Sequence, residues 1–180
     1  NTAKYAWKGP VMSTNFDWLN FIDISGPFLS EPVLNEKLPH GLDALSGKVA
    51  TQLRKDYNEW REAVEDDDPY LKEIHDAWID VVLCEVLEYD DVVLQREGIP
   101  PNLEFQLPEY GISLKPDMIL TEPTKSDSIL MLISVFEPDH DLNTAVQTNG
   151  YVASAKDRMV SMLKAIECSV GLITNGEMWM

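Results

Sequence analysis

The run Ile129-Leu130-Met131-Leu132-Ile133-Ser134-Val135-Phe136 is almost continuously apolar. A strand of that kind has no wet face, so it belongs at the centre of a sheet covered on both sides. Segments with strand and turn character precede it. Leu103-Glu104-Phe105-Gln106-Leu107 alternates with period two, Pro108 to Gly111 has turn composition, and Pro116-Asp117-Met118-Ile119-Leu120 returns as a strand. After the apolar run, Ser154 to Glu167 predicts a helix. Ser154 and Asp157 make an imperfect capping box there, while Met159, Met162, Leu163 and Ile166 fall on one face. Val170 to Thr174 then reads as a further strand. The order helix, strand, strand, strand, helix, strand predicts an α/β fold: a central mixed sheet flanked by helices, with a right-handed crossover.

Residues 1–68 read as a helical N-terminal extension and 69–180 as the α/β domain. In the extension, Phe16, Trp18, Leu19, Phe21, Ile22 and Ile24 form a dense apolar knot that Gly26-Pro27 breaks, and Glu31 to Leu38 predicts a short helix. From Ser46 to Glu65 the spacing of Val49, Leu53, Tyr57, Trp60 and Val64 draws one apolar stripe along a helix. Glu65-Asp66-Asp67-Asp68 closes the segment as a solvated linker or helix cap. A second helix is predicted from Pro69 to Tyr89. Glu85 lies on its Ile74-Trp78-Val81 stripe, either at the rim of the core face or turned inward toward a site.

Charge narrows the partners. Acidic residues outnumber basic ones by 31 to 14 over 180 residues, a net charge of -17, which is the opposite of a free-standing nucleic-acid binder. Contact with DNA therefore requires another part of the protein to supply the phosphate contacts. Cys84 and Cys168 lack any paired spacing, which argues against a disulfide framework and suits a reducing cytoplasm. No apolar run has the length of a membrane span, and no membrane partner is expected. The closing Gly171-Leu172-Ile173-Thr174-Asn175-Gly176-Glu177-Met178-Trp179-Met180 reads as a strand, an Asn-Gly turn and the opening of another strand. With a first residue other than Met, this suggests a piece of a longer protein, truncated at its C-terminal side.

Two acids stand where chemistry is plausible. Asp117 opens a strand after Pro116, and the buried strand ends in Phe136-Glu137-Pro138-Asp139-His140-Asp141. Carboxylates at neighbouring strand ends are how Mg²⁺ is held together with substrate phosphates, which makes Asp117 and Glu137 candidate metal ligands. His75 and His140 each lack a second His or Cys at ligand spacing and read as satisfied or exposed histidines.

The order of an acidic helix position (Glu85), Pro116-Asp117, a central strand, Gln147-Thr148-Asn149-Gly150-Tyr151 and Gly171-Leu172-Ile173-Thr174-Asn175-Gly176 resembles the PD-(D/E)XK restriction-endonuclease-like fold. The likeness covers about Pro69 to Met180. It is nearest to the nuclease-like domains of type I restriction subunits and of restriction-modification proteins fused to an adenine methyltransferase. It implies a nuclease-like domain of a prokaryotic restriction-modification or phage-defence protein, acting on DNA within the full-length protein beside that methyltransferase. It further implies, if the site is active, Mg²⁺ held by Asp117 and Glu85 beside the Glu137 read above, with Gln147 and Tyr151 near the scissile phosphate. Gln147 and Tyr151 also read as residues flanking an Asn-Gly turn.

One departure bears on activity. Active members carry a Glu and, two residues later, a Lys on the central strand, whereas Ser134 and Phe136 stand at those positions here. A hydroxyl is a poor Mg²⁺ ligand beside a carboxylate, and a phenyl ring moves no proton. Either Glu137 supplies a displaced acid and Lys115 or Lys125 the base, which leaves a Mg²⁺-dependent endonuclease, or the site is degenerate and the domain is a scaffold or interaction module for the methyltransferase or another defence subunit.

Overall fold

The computed structural model describes residues 17–24, 30–42 and 46–180. The chain divides into two units at Ser46/Gly47. In the first, a 3₁₀ turn spans Asp17–Phe21 and helix α1 spans Glu31–Lys37. Proline in its first turn, Glu31 at the start and Lys37 at the end all suit the helix termini and dipole. Phe16 of the expected apolar knot lies outside the described residues. Phe21 is 88% exposed and Ile22 43%.

The second unit opens with α2 (Gly47–Glu65) and α3 (Leu71–Asp80). Strands β1 (Leu94–Gln95), β4 (Met118–Glu122), β5 (Lys125–Val135) and β8 (Gly171–Thr174) form one sheet in the order β1-β4-β5-β8. The β1/β4 and β4/β5 pairs are antiparallel, and β5/β8 is parallel. This is a mixed α/β sheet, as the order of elements predicts. Two small hairpins stand apart from it: β2 (Phe105–Leu107) with β3 (Ile112–Leu114), and β6 (Val146–Thr148) with β7 (Tyr151–Ala153). Helix α4 (Ala155–Ile166) lies between β7 and β8, and its capping box is complete. The Ser154 hydroxyl accepts from the Asp157 N–H, and the Asp157 carboxylate accepts from the Ser154 N–H.

Alternation along β5 divides the core between the two faces. Leu132 packs with Ile119, Met159, Met162 and Ile173 on the α4 side, and Ile133 packs with Trp60, Ile79, Leu83 and Leu120 on the α2/α3 side. Both are fully buried. Earlier in the strand Leu130 is 50% exposed, because β8 pairs only from Leu132 onward. The double-sided burial read from the apolar run thus holds for Leu132 to Ser134 and not for its beginning.

Two boundaries differ from expectation. Trp60 of α2 is buried among residues of α3 and the sheet, so α2 belongs with the α/β unit and the division expected after Asp68 moves to Ser46/Gly47. The helix expected to reach Tyr89 is α-helical only to Asp80. It continues as a π-helical turn over Val81–Val86, in which the Leu87 N–H reaches the Val82 carbonyl five residues back. Within this wider turn Leu83 is fully buried while Glu85 is exposed.

Candidate functional site

Antiparallel pairing of β4 with β5 places the start of β4 beside the end of β5. The Asp117 N–H donates to the Ile133 carbonyl at 2.9 Å, and one Asp117 carboxylate oxygen accepts from the Val135 N–H at 2.9 Å. Glu137 follows two residues beyond. Both acids line a cleft of about 480 Å³ whose other walls include His75, Asp80 and Arg96. A second cleft, of about 420 Å³, meets the first at Asp117 and Arg96 and is lined also by Lys115 and the Pro100-Pro101 turn. Asp117 is exposed at its edge, yet protein crowding raises its carboxyl above the ordinary carboxylate range. The Val135 N–H and the Lys115 charge oppose that rise.

His75 is buried and spans two bonds. Its Nδ1 lies 3.0 Å from Trp60 Nε1, and its Nε2 lies 3.0 Å from the Phe136 carbonyl oxygen. An indole N–H only donates, so Nδ1 is the acceptor, Nε2 carries the proton, and the ring is neutral. Burial pushes its pKa below the usual histidine value, against the pull of the Phe136 carbonyl, Glu137 and Asp76. His75 is thus a satisfied structural histidine. Its bonds fix Trp60 of α2 and the end of β5 to one another.

The residues at the acid and lysine positions are engaged in packing. Ser134 is buried and pairs in register with Ile173, on the face it shares with Leu132. Phe136 packs against the α4-side core and stacks on His140 at 4.8 Å, while its N–H donates to the Thr174 carbonyl. Of the two lysines, Lys115 shares a cleft with Asp117, whereas Lys125 sits at the far end of the β4/β5 hairpin near Glu122.

The remaining expected site residues are not gathered with Asp117. Glu85 is exposed on the π-helical turn and lines a different cleft. Gln147 and Tyr151 belong to the β6/β7 hairpin and line neither cleft that Asp117 enters. Their hairpin turns at Asn149 (φ 51°) and Gly150 (φ 88°), the left-handed pair of a tight type I′ turn, and Tyr151 packs against Tyr110 at 5.3 Å.

The donor set fits Mg²⁺ poorly. Asp117 already spends one oxygen on a backbone N–H, and a guanidinium lines the same cleft. Among the described residues no three His, Cys, Asp or Glu side chains converge as a metal would need.

Sequence reasoning missed Arg96, which lines both clefts that Asp117 joins. Its guanidinium reaches Asp80 at 2.8 Å, Asp91 at 3.4 Å and Cys84 Sγ at 3.1 Å. Burial opposes its charge, but Cys84 and Asp80 outweigh that and hold its pKa above the ordinary value. The available signal was one base in the otherwise acidic stretch from Glu85 to Glu97.

Among the described residues, no helix is long and apolar enough to cross a membrane. Comparison with protein-family models, with curated proteins and with solved structures gave no match for this chain.

Proposed function

We propose that this chain is the nuclease-like domain of a prokaryotic restriction-modification or phage-defence protein, with a degenerate metal site, serving to hold its partner domains rather than to cut DNA. The observation that carries this reading is the use of Ser134 and Phe136. Where the resembled family places an acid and a lysine, one side chain is buried in the core and the other is stacked on His140. Asp117 stands just before β4 with its carboxylate on the Val135 N–H, at the end of the central strand, which is the placement the resemblance expects of its Pro-Asp. The acidic balance fits a role in which phosphate contacts come from elsewhere: residues 101–180 hold five Lys or Arg against eleven Asp or Glu.

One observation favours the active reading, with Asp117 and Glu137 on Mg²⁺ and Lys115 as base: Lys115 shares the second cleft with Asp117. Calorimetric titration with Mn²⁺, run on this chain and on Asp117→Asn, separates the two. The degenerate reading expects no saturable binding in either protein. Binding that Asp117→Asn abolishes overturns it and restores a metal-dependent nuclease, to be followed by DNA cleavage assays in Mg²⁺ and Mn²⁺.

A further inference from the structure

A third cleft, of about 710 Å³, is lined in part by residues of α3 and of the π-helical turn. Ala77, Val81, Cys84 and Tyr89 contribute to its lining. With them stand Asp80, Glu85, Glu88, Asp90 and Asp91, five carboxylates against the single guanidinium of Arg96. Glu85, Glu88 and Asp91 are exposed. Leu87 and Val92, neighbours in sequence of the lining residues, expose 43% and 61% of their surface.

The cleft already accommodates a guanidinium. Arg96 enters it between Asp80 and Asp91 with its Nη2 against the Cys84 sulfur. A lining that mixes carboxylates with apolar side chains therefore suits planar cationic heads on apolar stems, the pattern by which arginine is bound. Glu85 and Glu88 have no bonding partner among the described residues, so charge remains uncompensated after Arg96 is counted.

We propose that this cleft is a docking groove for a basic amphipathic segment of a partner domain, one that presents arginine between apolar side chains. The assignment rests on the scaffold reading given above, because it supplies the contact by which an acidic, non-cutting domain holds a basic neighbour. Charge complementarity selects this occupant: an acidic or purely apolar segment would leave the lining carboxylates facing like charge or dry surface.

The test uses a fluorescein-labelled octapeptide of alternating leucine and arginine, with a leucine and glutamate octapeptide as control, followed by anisotropy. The double variant Glu85→Gln/Glu88→Gln is expected to weaken binding by about tenfold, and the equal-charge control Glu59→Gln/Glu109→Gln by less than about twofold. Bound peptide is expected to slow maleimide modification of Cys84 and to leave Cys168 unaffected. Equal weakening by both double variants, an unchanged Cys84 rate, or no binding of the basic peptide each overturns the groove. The Mn²⁺ titration is independent of this cleft. A failed groove with no Mn²⁺ binding sinks the groove alone, whereas Mn²⁺ binding sinks the scaffold reading even if the groove holds the peptide.

Discussion

His75 has one tautomer open to it, and a second proton would turn Nδ1 into a donor facing the donor of Trp60. Because its folded pKa is lowered, the neutral ring contributes stability that is complete above the unfolded value of 6.5 and is lost as pH falls through the lower folded value. Glutamine keeps one acceptor and one donor without titrating. Thermal melts from about pH 8 to about pH 5 should therefore show His75→Gln losing less stability than the parent, and parallel losses would refute the switch. Gly176 stands against the same ring at φ +88°, where an added Cβ would lie 2.7 Å from Trp60 Cζ2 and 2.9 Å from His75 Cε1. Gly176→Ala combines a left-handed backbone with a steric collision, and urea titration should register a loss of roughly 2–4 kcal/mol. Asn175-Gly176 was legible as a turn because its signal is two adjacent residues. What it packs against was not, because Trp60 and His75 lie far away in sequence and nothing local encodes the meeting.

Elements with local, periodic patterns were the readable ones. α4 follows from its capping box and its i, i+3, i+4, i+7 face, and the centre of β5 follows from its apolar run. Ser154→Ala removes the hydroxyl that accepts the Asp157 N–H, with an expected cost of about 1 kcal/mol in the denaturant midpoint. A variant as stable as the parent would show that packing of Met159 and Met162 alone holds that end of the helix. The π-helical turn left no such trace. Its residues continue an α-like stripe, so the periodicity puts Glu85 on a face with Trp78, whereas in the widened turn it lines another cleft. The Asp117 corner was legible as a Pro-Asp strand start. Its bond to Val135 depends on the β4/β5 register, which sequence alone leaves open.

At the scale of the molecule, α2 is the element whose allegiance decides the boundary. Trp60 packs with Trp78 at 5.9 Å, and Tyr57 and Arg61 both reach Glu177 beyond β8. A chain of residues 47–180 should therefore melt cooperatively near the parent temperature, and one of residues 69–180 should lose that transition. Persistence of a cooperative melt in the shorter chain would return the boundary to Asp68. The sheet also dictates an order of assembly. β4 and β5 are joined by a tight connection, with Glu122 opposite Lys125, whereas Leu132 finds Gly171 only after the β6/β7 hairpin and α4 have been traversed. Loop closure makes the second pairing the later one. Substitutions that weaken Leu120 against Met131 should retard refolding, and those that weaken the β8 contacts of Ile173 should chiefly hasten unfolding. The one parallel seam in this sheet is thus its last to close and, by the same reasoning, the place where a nascent chain waits longest with its core ajar.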